Sequence, residues 1–175
     1  MFKFTKLLLL ISILICPCLS ASAAQNVYAV TAIKGFLYYD DTGEIDNRDL
    51  VKIPDGQLFN TVIGEGMAKR PSNTTLLMVE VSGPSFANKD VGTLIVKVVS
   101  DRLNNKGVPV KATLLERSLN LNYYFQETAR KIQIPFWVYE TGSSHMTITA
   151  TLKGGKDAKS QSSTLSKKIL FGGGE

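Results

Sequence analysis

The stretch RKIQIPFWVYE, residues Arg130 to Glu140, is the strongest β-strand signal in the chain and holds its only tryptophan. Apolar side chains recur at every second position, which predicts a core-facing side formed by Ile132, Ile134, Phe136 and Val138. Pro135 has no N–H to give to a sheet ladder. We therefore predict that this strand lies at the edge of a sheet or at a bulge.

The other side of this strand is mixed and carries Trp137 and Tyr139. Because the apolar side is already complete, packing does not require Trp137 to turn inward. An edge strand that carries large amphipathic aromatic residues suits the docking of a partner, so we interpret Trp137 and Tyr139 as partner-binding residues. The alternative is that the segment Ser118 to Ala129 covers Trp137 and gives it a second core. Other aromatic residues of the same amphipathic type are Tyr38, Tyr39, Tyr123 and Tyr124.

The N-terminal residues have the pattern of a secretory signal peptide. Lys3 and Lys6 precede an apolar run from Leu7 to Leu19 and the small-residue stretch Ser20 to Ala24. We predict cleavage of residues 1–23, which leaves residues 24–175 as one exported domain that is periplasmic or secreted. The apolar run has about 13 residues and is shorter than the roughly 20 that span a bilayer, so we expect no transmembrane anchor after processing.

Both cysteines, Cys16 and Cys18, fall inside the predicted signal peptide, so the mature chain is expected to have no disulfide. About 152 residues remain, which is enough to build a core by packing alone. The whole chain has 20 basic and 15 acidic residues, and removal of Lys3 and Lys6 lowers the basic excess further. A charge this small does not indicate a nucleic-acid partner.

Short runs of alternating or β-branched residues follow one another through the rest of the chain, with Gly, Asn and Pro between them. We predict strands within the ranges 27–39, 58–63, 74–82, 93–100, 108–117, 131–140, 146–152 and 164–171. The chain shows neither an amphipathic helix pattern nor an internal repeat. It therefore predicts an all-β antiparallel sandwich of about 7 to 9 strands, for which immunoglobulin-like, C2-like and transthyretin-like arrangements all fit.

An acidic segment follows the first predicted strand, with the sequence DDTGEIDNRD. Its carboxylates are Asp40, Asp41, Glu44, Asp46 and Asp49. Calcium takes six to eight oxygen ligands, so clustered carboxylates in one loop suggest a hypothetical calcium site, although the spacing is not that of an EF-hand. The alternative is a solvated loop without a metal.

Residues for catalysis are few. His145 is the only histidine, the mature chain has no cysteine, and no Gly-x-Ser-x-Gly motif is present, so neither a catalytic triad nor a zinc site is indicated. We therefore expect a non-enzymatic exported binding protein without a cofactor, whose partner is a protein or envelope component or a glycan. One alternative is a structural subunit of a surface appendage, in which a strand such as Asn26 to Ile33 adds to a neighbour. Another is a carbohydrate hydrolase that uses paired carboxylates.

Overall fold

The computed structural model describes residues 28–54, 57–58, 60–84, 91–124, 130–154 and 162–172. The predicted signal peptide and both cysteines lie outside these residues. Within the described ranges, no helix has the length and apolar character that crossing a membrane requires.

Eight strands form the described part of the protein, and they confirm the predicted all-β antiparallel sandwich. Their bounds are β1 Ala29–Tyr39, β2 Glu44–Ile45, β3 Thr74–Ser82, β4 Thr93–Leu103, β5 Pro109–Asn120, β6 Lys131–Tyr139, β7 Met146–Lys153 and β8 Ser163–Ile169. Two short 3₁₀ helices span Leu50–Lys52 and Leu121–Tyr123. The strands make two four-stranded sheets, which we call sheet I (order β2-β1-β3-β6) and sheet II (order β5-β4-β7-β8).

The core lies between the two sheets and receives alternate side chains from each. In sheet I, β3 contributes Leu77, Val79 and Val81, and in sheet II the buried residues of β4 and β7 include Leu94, Val96, Val98, Ile148 and Leu152. Full burial of one such aliphatic side chain is worth about 1.5 to 3 kcal/mol relative to exposure. These residues form one continuous cluster, so the two sheets share a single hydrophobic core.

Strand β6 is the edge of sheet I, as Pro135 predicts. In the described residues it pairs with β3 alone, in a register that runs from Tyr139 opposite Thr74 to Lys131 opposite Ser82. The predicted core side is also confirmed, because Ile134, Phe136 and Val138 are buried and Ile132 is partly buried against the core. An edge strand uses only one of its two sides for pairing, which accommodates the missing N–H of Pro135.

One predicted strand differs from the structure. The described residues of the range 58–63 do not form a strand: Leu58 makes an isolated bridge to Phe171, and residues 60–63 turn, with the N–H of Gly64 donating to the Thr61 carbonyl. Gly64 has φ of +83°, a left-handed conformation that ends extended structure. The segment Ser118 to Ala129 begins as strand, because β5 continues to Asn120, and its residues 125–129 lie outside the described part.

The two sides of the sandwich are built differently. On one side, β1 lies beside β8 and the first 3₁₀ helix packs against both; we call this the closed flank. Gly35 allows this approach, since a Cβ there would lie 2.7 Å from Cδ1 of Ile169. On the other side, β5 and β6 border a groove; we call this the open flank.

Candidate partner-binding site on strand β6

Trp137 and Tyr139 lie on the outer side of β6 and are 40% and 62% exposed. The indole ring of Trp137 meets the ring of Tyr38 edge-on, with ring centroids 4.8 Å apart and planes inclined by 68°. Such a contact is worth about 0.5 to 1.5 kcal/mol beyond the area it buries. Trp137 is therefore held in a defined position on the surface. Of the segment Ser118 to Ala129, the described residues 118–124 leave it 40% exposed.

Neighbouring strands extend this surface into a continuous apolar area. Across sheet I, Leu76 is the strand partner of both Phe36 and Trp137, and Pro135 lies opposite Met78. Leu76 is only 8% exposed although it lies on the outer side of the sheet. We call this surface the aromatic face; it consists of Phe36, Tyr38, Leu76, Met78, Pro135, Trp137 and Tyr139.

On the outer side of sheet II, strand β7 is polar, although β4 places Ile95 and Val99 on the same side. There β7 presents Thr147, Thr149 and Thr151, and Thr151 shares a 3.0 Å hydroxyl hydrogen bond with Thr164 of β8. One polar, wet side is the normal condition of an antiparallel sheet. The aromatic face departs from the polar pattern of β7, and Trp137 and Tyr139 are its exposed members. Exposed aromatic residues that adjoin further apolar side chains suit an interaction site.

A groove of about 460 Å³ lies between β5 and β6 on the open flank. Its lining includes Ile134 and Phe136 from β6 and the half-buried Leu115 and Leu119 from β5, while Trp137 and Tyr139 line the end next to the aromatic face. Arg117 is the one charged side chain among the described residues that line it. Sequence reasoning missed the β5 residues, because their role depends on which strand of sheet II comes to lie beside β6.

The acidic segment has its carboxylates directed to different protein partners. Asp46 is buried, accepts from the Tyr39 hydroxyl at 2.9 Å and from Nε of Arg48 at 2.8 Å, and forms an ion pair with the same guanidinium. Hydrogen bonds from Arg48 hold the pKa of the Asp46 carboxyl far below its usual range. Tyr39 itself is buried, so this tyrosine belongs to the core and not to a binding surface.

The remaining acids are also occupied by protein groups. Asp49 accepts from the backbone N–H groups of Gly35 and Val51, and Asp40 accepts from the Thr74 hydroxyl at 3.1 Å. The two other carboxylates lie near the Arg70 guanidinium, at 3.6 Å for Asp41 and 3.4 Å for Glu44. In the part of the chain that the structure describes, no three His, Cys, Asp or Glu side chains come together as a metal site. These contacts do not test the predicted calcium site, but each of its five carboxylates already has a protein partner.

His145 lines an open cleft of about 690 Å³ at one end of the sandwich. Glu140 in the same cleft is held by Arg102, whose Nη1 and Nη2 donate to its carboxylate at 2.9 Å and to its backbone carbonyl at 2.6 Å. Nδ1 of His145 is buried and has no hydrogen-bond partner among the described residues. Among the described residues, no carboxylate therefore accepts from Nδ1 of this imidazole in the way that aspartate orients the histidine of a Ser-His-Asp triad.

Comparison with protein-family models, with curated proteins and with solved structures finds no significant match to this chain. The geometry of the aromatic face and of the groove beside it is therefore the basis for a functional proposal.

Proposed function

We propose that this protein is an exported, non-enzymatic β-sandwich that binds a protein partner of the cell envelope through the aromatic face of strand β6. The observation that carries the proposal is the exposure of Trp137 and Tyr139, at 40% and 62%, on an edge strand. Tryptophan and tyrosine are enriched among the residues that dominate binding energies, because they bury a large area with few rotatable bonds.

The position of Trp137 supports this function. A side chain that is ordered only on binding loses conformational entropy, at a cost of about 0.5 to 1.5 kcal/mol. The edge-on contact with Tyr38 already restricts the indole before any partner arrives. Trp137 is thus already ordered before binding, so contact with a partner costs it less conformational entropy.

Charged residues border the aromatic face at its far end. Glu80 accepts from the Thr31 hydroxyl at 2.8 Å and from the Lys131 ammonium at 3.0 Å. Burial opposes ionisation of Glu80, but these hydrogen bonds keep the pKa of its carboxyl below the usual value. An apolar centre next to a polar border is the usual anatomy of a protein interface.

The alternative of a donor-strand subunit has less support. The predicted donor segment was Asn26 to Ile33, and its described residues from Ala29 onward are part of β1, which pairs with β3. Val30 and Ile33 are buried in the core. Donation of this segment to a neighbour would therefore remove it from its own sheet.

Site-specific photocrosslinking in the cells that make the protein tests the proposal. A benzophenone amino acid at position 139 should give a discrete adduct, and the same group at position 149, on the outer side of sheet II, serves as the matched control. We expect Trp137→Ala to abolish the adduct at position 139, because it removes the anchor. Equal adducts at positions 139 and 149, or adducts unaffected by Trp137→Ala, would contradict the proposal.

A further inference from the structure

The open flank presents two sheet edges side by side. Strand β6 ends sheet I and strand β5 ends sheet II, and within the described residues each pairs with one neighbour only. The outer edge of such a strand carries backbone N–H and C=O groups that a further strand can satisfy. On the closed flank, by contrast, the N–H of Val30 donates to Ser163 and the N–H of Gly35 donates to Asp49.

The groove between these edges matches the alternation of an extended peptide. Successive side chains of a strand point to opposite sides. A peptide that pairs with β6 would direct one set of side chains toward Leu115, Leu119 and Phe136 in the groove, and the other set toward the solvent beside Tyr139. The side chains of the first set must therefore be apolar where they face these three residues.

The positive charge of the groove favours peptides that carry an acidic residue. Arg117 lines it, and no carboxylate of the described residues does. The neighbouring Glu116 is engaged with Lys97 at 3.1 Å on the outer side of sheet II. Arg117 is exposed at an otherwise apolar groove, and its guanidinium favours a carboxylate, with which it can form a charge-assisted hydrogen bond.

The edge also discourages pairing between two copies of this chain. Proline in the middle of an edge strand and a lysine at its end are devices that limit edge-to-edge association, and β6 carries Pro135 and Lys131 in these positions. A peptide whose apolar side chains enter the groove gains contacts that offset the hydrogen bond lost at Pro135. These observations favour a peptide over a second copy.

We infer that the partner contributes an extended segment with alternating apolar residues, which adds as a strand to the edge of β6 and places an acidic side chain opposite Arg117. This inference rests on the proposed function and specifies its ligand. Main-chain hydrogen bonds supply affinity, and the groove supplies selection among sequences.

Selection from a phage-displayed library of random 12-residue peptides on the mature protein provides the probe. We expect enriched peptides to alternate apolar and polar residues and to contain more Asp and Glu than Lys and Arg. The most enriched peptide is then synthesised, and its binding is followed by fluorescence. Trp137 is the only tryptophan of the chain. If the peptide contains no tryptophan, all tryptophan emission of the complex comes from Trp137 and reports binding at this site.

Methylation of peptide nitrogens tests strand pairing without any change to the protein. Only alternate N–H groups of an added strand face β6. We expect methylation of that alternate set to weaken binding by at least about tenfold and methylation of the other set to leave it within about twofold, since each backbone hydrogen bond contributes about 1 kcal/mol. Equal effects of the two sets would overturn strand addition.

A charge exchange tests the acidic residue. We expect Arg117→Glu to weaken the acidic peptide about tenfold and a peptide with Lys in place of its acid to recover the loss. Lys111→Glu is the matched control, because Lys111 is exposed on the same strand but does not line the groove. Equal effects of the two substitutions would overturn the inferred partner chemistry.

Failure of this inference is distinguishable from failure of the proposed function. Isothermal titration calorimetry compares peptide binding to the wild type and to a Trp137→Ala/Tyr139→Ala variant, because this variant has no tryptophan. If the selected peptides bind both proteins equally well, strand addition at β6 is overturned. The crosslinking experiment at position 139 decides the proposed function separately, because it needs no peptide.

Discussion

The two flanks of the sandwich differ in how they treat the unpaired edge of a sheet. At the closed flank, β8 and the first 3₁₀ helix cover the edge of β1, and side chains of Ser163 and Asp49 accept its backbone N–H groups. At the open flank, β6 has no such cover in the described residues and carries Trp137 and Tyr139 at its surface. The strand edge at the closed flank is therefore covered by the protein itself, whereas the strand edge at the open flank is accessible to a partner.

This difference separates residues that hold the fold together from residues that remain for binding. An edge strand is a hazard for aggregation unless it is covered or protected. The chain covers one edge and protects the other with Pro135, which keeps the second edge accessible without inviting uncontrolled pairing. Substitutions at the closed flank should therefore change stability, and substitutions at the open flank should change binding.

The largest expected effect is that of Ile169→Ala at the closed flank. Ile169 is fully buried, and truncation of a buried isoleucine costs about 2 to 5 kcal/mol of unfolding free energy. Trp137→Ala at the open flank removes a larger side chain but should cost less, about 1 to 2 kcal/mol, from the ring contact with Tyr38 and the covered part of the indole. Denaturant unfolding followed by circular dichroism measures both, because the second variant has no tryptophan. A cost above about 3 kcal/mol for Trp137→Ala would make Trp137 a core residue and remove the contrast between the flanks.

The next effect concerns the close approach of β1 and β8. Gly35→Ala places a Cβ 2.7 Å from Cδ1 of Ile169, and overpacking of this kind costs about 1 to 3 kcal/mol. Ile169→Val removes that methyl group, so we expect the double variant to be more stable than the sum of the two single effects predicts. Denaturant unfolding of the four proteins gives the coupling energy. Additive effects would show that Gly35 is not required for the contact.

Much of the fold could be predicted from local pattern. The alternation and the proline of β6 identified its core side and its edge position correctly, because side-chain period and proline chemistry act within a single strand. The turn at Gly64 was missed, since Thr61, Val62 and Ile63 resemble a strand and only the left-handed glycine after them ends it.

The candidate site was only half visible in the sequence. Trp137 and Tyr139 follow from the alternation of one strand. Tyr38 and Arg117 reach the same area from β1 and β5, and their proximity depends on strand order, which no local pattern specifies. The acidic segment shows the same limit, because its carboxylates are adjacent in sequence but Asp46 points inward to Tyr39, whereas Asp41 faces Arg70.

A smaller effect is expected from pH, through Asp46 in the segment that leads to the closed flank. Its pKa is lowered in the folded protein, chiefly by hydrogen bonds from Arg48. A lowered folded pKa means that Asp46 stabilises the fold above the unfolded value of about 3.9, and that this contribution is lost as pH falls through that value toward the folded pKa. The wild type should therefore lose about 1 to 2 kcal/mol more than Asp46→Asn between pH 6 and pH 3.

Denaturant unfolding at several pH values checks this expectation. Asp41→Asn is the control, because the Asp41 side chain is mostly exposed and its ion pair with Arg70 should contribute little. Parallel pH profiles for the wild type and Asp46→Asn would show that the Asp46 ion pair does not stabilise the fold.

The smallest expected effect is that of calcium on the acidic segment. This test bears on the difference between the two flanks, because the acidic segment contributes Asp49 to the closed flank. Bound calcium at 100 times its Kd would add about 2.7 kcal/mol and raise the melting temperature by about 5 to 10 °C. To bind there, the ion would have to replace Arg48 at Asp46 and Arg70 at Asp41, and these cations already neutralise the carboxylates. We therefore expect the melting temperature in millimolar calcium to equal that in chelator within about 1 °C. A rise of several degrees that Asp41→Asn abolishes would show instead that the acidic segment is a calcium site and that a metal, as well as protein side chains, completes this flank.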